Sequence, residues 1–229
     1  MSKSYYSLGL MSGTSGDGVD SSIVQSDGDI EYKVILDKYF KYSQEIYENI
    51  HILKNKINTS IDLKNLSRET DSLEKEITIF HAKAVNKIIK EFKSNIDFIG
   101  FHGQTIYHNA KEKISKQLGD GKLLSQLTKK TVIYDFRQND LKNDGQGAPL
   151  TAIFHKLLVY KYKFKIPLTF LNIGGVANLT HIDHLNNMRA WDVGPGNCLI
   201  DQWIRLNSKK RYDQDGKIAR SGKINKIVL

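Results

Sequence analysis

Apolar positions come in short runs at the front of the chain. Tyr5–Leu10, Val19–Gln25 and Ile30–Tyr39 each read as a β-strand, and Asp27-Gly28 between the last two is a hairpin signal. The chain is therefore expected to open on an antiparallel meander. The period then changes. Leu73, Ile77, Phe80, Ala84, Ile88 and Phe92 fall three or four apart and form one apolar stripe, which predicts a helix over Asp71–Phe92. Asp71 or Ser72 would cap it, with Glu74 and Glu76 placed favourably in its first turn. Shorter helices are predicted over Glu45–Leu53 and Ser60–Arg68. His81, on the long helix, reads as a packed or surface residue rather than a ligand.

Further on, short apolar runs end in polar clusters. Asp97–Phe101 is followed by His102-Gly103-Gln104-Thr105, and Val132–Tyr134 by Asp135-Phe136-Arg137 and a Gly-rich loop at Asp144–Pro149. A loop and short helix over Gly119–Thr128 lie between them, and a helix over Leu150–Tyr160 follows. The pattern then begins again. Leu168–Ile173 and Val176–Ile182 are strands around a Gly174-Gly175 turn, Met188–Val193 is a third, and Gly194-Pro195-Gly196-Asn197 leads into a helix over Cys198–Leu206. Strands alternating with helices predict an α/β fold, a mixed sheet with helices packed on it. Its ligands are expected just past the strand ends. A first lobe is expected over 1–149 and a second over 150–229. The second repeats the strand, Gly-rich turn, strand plan, but about 80 residues are few for a lobe whose sheet has just begun, so it is expected to be partial.

Charge and composition change this picture little. Among 229 residues, Lys+Arg outnumber Asp+Glu by 34 to 25, a net +9. The lysines are scattered over amphipathic stretches, which reads as a solvated surface and not as a nucleic-acid groove with interleaved aromatics. The one cysteine, Cys198, leaves no disulfide within the chain, and no apolar run has the length of a signal or membrane segment. A cytoplasmic protein with neither a nucleic-acid nor a membrane partner is expected.

The loops carry the candidate chemistry. Gly13, Thr14, Ser15, Gly16, Asp17, Gly18, Val19 and Asp20 combine close backbone approach, two hydroxyls and two carboxylates. This is either an ordinary hairpin turn or a phosphate loop in which Asp17 and Asp20 hold Mg²⁺. It is neither a Walker A loop nor a dinucleotide fingerprint. A second such loop contains Asn172, Gly174, Gly175 and Asn178. Two loops of this kind could grip a nucleotide's phosphates between two lobes. Asp135 is the candidate base and Arg137 a candidate anion binder, the other reading of the pair being a strand-end salt bridge. His102 and Gln104 would suit hydrogen bonds to a sugar or its N-acetyl group, unless His102 is a satisfied structural histidine. Asp192, Gly194, Gly196 and Asn197 stand at a helix N-terminus, which attracts anions.

Taken together and in order, GLMSGTSGDGVD (Gly9–Asp20), GFHGQT (Gly100–Thr105), QLGD (Gln117–Asp120), VIYDFR (Val132–Arg137), GQGAPL (Gly145–Leu150), LNIGGVAN (Leu171–Asn178) and DVGPGN (Asp192–Asn197) resemble the anhydro-N-acetylmuramic acid kinase family. The resemblance implies a ribonuclease-H-like (actin/Hsp70/sugar kinase) fold of two lobes around a cleft, the first complete and the second partial. It implies ATP and Mg²⁺ as cofactors and 1,6-anhydro-N-acetylmuramic acid, a product of peptidoglycan turnover, as substrate. Water opens the anhydro bridge and O6 takes the γ-phosphate, giving N-acetylmuramic acid 6-phosphate. Carried over, Gly13–Asp20 is the first phosphate loop, Asn172–Asn178 the second, Asp135 the base and Asp192–Asn197 a cleft-lining motif. A homodimer is among the expectations. Gly16 departs from the family in standing where a bulkier residue is usual. Asn143-Asp144 precedes Gly145 where a glycine is common, and Val193 stands in place of Thr. The family is also longer, so the adenosine-binding segment of the second lobe is expected to be missing. The alternative is an inactive remnant, or a nucleotide- or sugar-binding protein of the same fold.

Overall fold

The computed structural model describes residues 3–184 and 187–227. Strands β1 (Tyr5–Ser12), β2 (Gly18–Ser26) and β3 (Tyr32–Lys41) form the expected meander, antiparallel throughout. The β2–β3 turn is organised by one side chain. The Asp27 carboxylate accepts from the amides of Asp29, Ile30 and Glu31 at 3.0, 3.2 and 3.0 Å.

Helix α1 (Gln44–Lys56) starts at Ser43, whose hydroxyl accepts from the Ile46 amide. The short α2 (Ser60–Asn65) carries a reciprocal capping box between Thr59 and Asp62. This box sets the start of the helical region earlier than the apolar stripe does. The chain passes through Leu66 almost directly into α3 (Ser67–Phe92), with Thr70 N–H already bonded to the Leu66 carbonyl at 2.9 Å. Asp71 and Ser72 are therefore interior helical residues and not caps, and α3 has no side-chain cap.

Strand β4 (Phe98–Asn109) is more than twice the expected length. Its first half pairs in parallel with β1 and with β6 (Thr131–Tyr134), while its second half pairs antiparallel with β5 (Ile114–Leu118). His102–Thr105 thus lies inside a strand, at the point where the pairing partner changes, and not beyond the strand's end. Helices α4 (Gly121–Thr128) and α5 (Gln138–Lys142) flank β6, and α6 (Ala152–Tyr162) follows the Gly-rich segment. The sheet runs β3-β2-β1-β4-β5, with β6 also on β4. An antiparallel meander continued in parallel through β4 and β6 is the ribonuclease-H-like arrangement.

The core lies between this sheet and the helices α1 and α3. Leu8, Ile23, Ile50, Ile77, Val85, Ile88 and Ile99 are each wholly buried, and each such side chain is worth about 2 kcal/mol. His81, 0% exposed, sits among them.

A second, three-stranded sheet repeats the opening plan as β7 (Leu168–Ile173), β8 (Val176–His184) and β9 (Asn187–Pro195), in that order and antiparallel. Helix α7 (Cys198–Asn207) follows, then a 3₁₀ turn (Gln214–Gly216) and α8 (Lys217–Ser221). His155 of α6 stacks on Phe170, with ring centroids 4.6 Å apart, and bonds Thr180 Oγ1 at 2.8 Å. This second unit keeps much apolar surface in water: Leu171, Ile173, Trp203 and Leu206 are all more than half exposed. It touches the first unit through Lys161 Nζ, which donates to the Tyr32 carbonyl, and through Arg211, whose guanidinium lies 3.9 Å from the Tyr47 ring centroid. No helix among the described residues is long and apolar enough to cross a membrane.

Candidate functional site

The first Gly-rich loop joins β1 to β2. Gly16 takes a left-handed φ of +65°, and a Cβ there would lie 3.0 Å from Ile50 Cγ2. The departure noted at Gly16 is thus matched by its backbone: a bulkier residue would meet both strain and Ile50. The loop's carbonyls are held from behind. Gln104 Nε2 donates to Gly13 O at 2.9 Å, Lys54 Nζ to Thr14 O at 2.8 Å and His51 Nε2 to Ser15 O at 3.0 Å. Among the described residues the amides of Thr14 and Ser15 donate no hydrogen bond, so they are free to receive an anion. Burial, reinforced by Arg205 and Lys54, pushes His51 down to about 4. The ring is neutral, with its Nε2 proton on the loop.

Asp17 accepts from Ser15 Oγ and, at 3.0 Å, from Tyr39 Oη. Asp20 is raised above the usual carboxylate range by burial and by Asp17. Among the described residues no group of three or more metal-type ligands occurs. The two carboxylates fit a hard cation, whose charge would relieve their repulsion, with phosphate and water oxygens completing its shell. Beneath the loop, Ser12 Oγ meets Tyr42 Oη at 2.7 Å and His81 Nε2 at 3.3 Å, while His81 Nδ1 donates to Ile77 O at 2.8 Å. Burial pushes His81 down to about 4.

A second cluster gathers at the middle of β4 and just past the end of β6. His102 Nδ1 donates to Gly103 O at 2.8 Å, and its Nε2 accepts from Arg137 Nη2 at 2.8 Å. Arg137 Nη1 donates to the Gly147 carbonyl. Burial and the Arg137 charge hold His102 at about 4. Both ring nitrogens of His102 and the amide protons of Gln104 are thus committed to the protein. These groups, which their residue types suit to a sugar, therefore hold the protein's own backbone and Arg137. The Gln104 Oε1, buried and without a partner among the described residues, is the exception.

Arg137 turns toward His102 and Gly147, so the strand-end salt bridge with Asp135 does not form. Asp135 is exposed with φ +59°, and among the described residues its carboxylate is in no hydrogen bond or ion pair. Arg137 is lowered by burial and supported by the charge of Asp192, which also acts on His108. The charge of Asp192, on β9, is thus felt at Arg137 and His108.

The second Gly-rich turn docks on the segment before α7. Gly196 N donates to Gly175 O at 3.0 Å and Asn197 N to Gly174 O at 2.8 Å, while Asn197 Nδ2 reaches Ile173 O at 3.3 Å. A Cβ on Gly196 would come within 2.3 Å of the Gly174 carbonyl. Asn178 Oδ1 is buried without a partner among the described residues, Asn172 is exposed, and Gly194, at φ +152°, has open space around it.

The two turns meet: a Cβ on Gly175 would lie 2.5 Å from Thr14 Oγ1. Gly175→Val is expected to force them apart at a cost of about 1–3 kcal/mol. A thermal melt would show the first-sheet core intact, while limited proteolysis would cut the second unit faster than in the wild type. An unchanged cleavage rate would show that this contact plays no part.

Beside the contact, between α1 and α7, lies a cavity of about 540 Å³ lined by residues that include Thr14, Lys54, Gly175 and Arg205. A neighbouring one of about 430 Å³ includes Asp17, Asn197 and Arg211. His51, Lys54 and Arg205 are functional candidates that sequence reasoning missed. The available signal was slight: His51 and Lys54 stand three apart on one face of a helix.

A ribonuclease-H-like sheet whose Gly-rich hairpin meets a second Gly-rich hairpin defines the actin/Hsp70/sugar kinase class of fold. Within that class, residues 5–229 match the family model described as anhydro-N-acetylmuramic acid kinase, and the chain belongs to that family. It is 53% identical over 231 residues to the anhydro-N-acetylmuramic acid kinase of Pelagibacter ubique, covering 100% of this chain and 62% of that protein. It is 37% identical over 225 residues to the enzyme of the same name from Agrobacterium fabrum, covering 95% and 60%. The chain thus spans about three fifths of the length of these curated relatives. Among solved structures, a Ppx/GppA family member from Aquifex aeolicus aligns at 12% identity and a TM-score of 0.42, over 87% of this chain and 54% of that one.

Proposed function

We propose that the protein is an ATP-dependent anhydro-N-acetylmuramic acid kinase built as two lobes, 1–149 and 150–229, with the reactants between them. The supporting observation is the meeting of the two Gly-rich turns at Thr14 and Gly175, in a chain of this family. Gly13–Asp20 and the turn around Gly174 and Gly175, with Asn172 and Asn178, receive the phosphates. The Thr14 and Ser15 amides donate to them. Asp17 and Asp20 orient the Mg²⁺ shell. Bound Mg²⁺–ATP supplies the phosphoryl group and neutralises charge as it transfers.

Asp135 takes the proton of the water whose oxygen bonds to C1 of the sugar. The C1–O6 bond breaks, and O6 accepts the γ-phosphoryl group as that group's bond to the β–γ bridging oxygen breaks and ADP leaves. Arg137, held by His102, keeps a positive edge on the sugar side, and Asp192 with the Gly194–Asn197 segment completes the sugar's surroundings from the second lobe. A cytoplasmic setting, where ATP is supplied, fits this reading.

The test is phosphoryl transfer by the purified chain with ATP, Mg²⁺ and 1,6-anhydro-N-acetylmuramic acid, following N-acetylmuramic acid 6-phosphate. Absence of product would overturn the reading in favour of a nucleotide- or sugar-binding protein without turnover. One observation favours that second reading. Leu171, Ile173, Trp203 and Leu206 lie exposed in the second unit, so fewer buried contacts hold that jaw than hold the first.

A further inference from the structure

The cavity between α1 and α7 holds charge that the kinase reading above does not use. Lys54 enters from α1 and Arg205 from α7, on opposite walls. Lys54 Nζ spends one of its three protons on the Thr14 carbonyl at 2.8 Å. Arg205 makes no hydrogen bond among the described residues, and neither cation has a carboxylate within 4.0 Å among them. Of the lining residues only Asp201 carries a negative charge. Two cations that share a partly buried space with that single carboxylate, which interacts with Arg205 but bonds neither, keep an excess of positive charge and leave part of their hydrogen-bonding capacity unused. The floor of the space is made of Thr14, Ser15 and Gly175, from the two Gly-rich turns, and the first turn of α7 opens on it at Cys198.

We propose that Lys54 and Arg205 form a two-sided clamp for a polyphosphate, Lys54 holding the first loop and the anion together while Arg205 closes on the anion from the second unit. This inference rests on the nucleotide reading and extends it. The ligand class is an anion of two or more linked phosphates, because the space of about 540 Å³ has room for such a chain and each phosphate brings a charge of its own, one for Lys54 and one for Arg205. Burial, and secondarily Arg205, depresses the Lys54 ammonium, as expected of a cation waiting for its counter-ion.

The test titrates the whole chain with ATP, inorganic tripolyphosphate and adenosine by calorimetry. Wild type is compared with Lys54→Met, Lys54→Arg and Arg205→Met. Each Met variant is expected to weaken ATP and tripolyphosphate about tenfold or more, Lys54→Arg to restore most of that loss, and adenosine to bind all four proteins alike. Tripolyphosphate binding unchanged in both Met variants would overturn the clamp. Should Lys54→Met fail to fold, Arg205→Met decides, since it breaks no described hydrogen bond. Cation-dependent binding of tripolyphosphate without ATP binding would keep the clamp and discard the kinase reading. Phosphoryl transfer with unchanged affinities in the variants would do the reverse. A wild type that binds neither phosphate ligand refutes both.

Discussion

Asp135→Asn is expected to lower phosphoryl transfer to the anhydrosugar by about 10²–10⁴-fold, the range for loss of a positioned general base. The substitution is close to isosteric and removes the negative charge together with the ability to accept a proton. It costs no native contact, because the Asp135 carboxylate has none among the described residues. It is also mild on the backbone: at φ +59° Asn is tolerated as Asp is, whereas Ala would add about 1–2 kcal/mol of strain. The melting temperature should therefore stay near that of the wild type. KM for the sugar should move far less than kcat, since binding falls to other groups. A variant that keeps kcat within threefold would show that Asp135 is not the base. A variant that loses activity only through a raised KM would make it a binding residue.

A second large effect is expected from pH. His81, His51 and His102 all stand at about 4 in the folded chain against an ordinary value of 6.5, with burial the first cause in each. Between these values the unfolded chain takes up protons that the folded chain refuses. Stability is thus complete above about pH 6.5 and falls as the pH drops toward 4. His81 is wholly buried, so its share is on the order of 3 kcal/mol at the acid end. His51 and His102 are partly accessible and contribute less. Melting temperatures measured from pH 7.5 to 4.5 should fall steadily. His81→Asn, which can still donate to the Ile77 carbonyl, should flatten the curve. A profile already flat in the wild type would mean that these rings are protonated in the folded state.

Much of the fold was legible wherever apolar runs met strong turn chemistry. Leu168–Ile173 matches β7 at both ends because Gly174-Gly175 stops it sharply. The opening meander was legible for the same reason. Where elements were missed, the local signal was weak and tertiary pairing decided. Ile114–Leu118 has apolar residues only at its ends and becomes a strand by pairing with the extended half of β4. Gln138–Lys142 is one turn of helix with a single buried residue, Leu141.

In the site, the chemistry-bearing loops could be named from their glycines and carboxylates. The division of labour within them could not. That His102 serves Arg137, and Gln104 the first loop, depends on where β4 changes partner. That Lys54 and Arg205 share a cavity depends on two helices more than a hundred residues apart in the chain.

The Arg137 guanidinium joins three stretches: its own turn after β6, His102 on β4 and the carbonyl of Gly147. Gly147 is anchored a second time by its amide, which donates to Asp140 at 2.7 Å. It is the last residue so fastened before the chain crosses to α6 and the second sheet. One side chain thereby fixes the last stretch of chain before α6, much as a cleat holds a rope before it leaves the deck. Loosening Arg137 would free three stretches at once and not merely one contact beside β4.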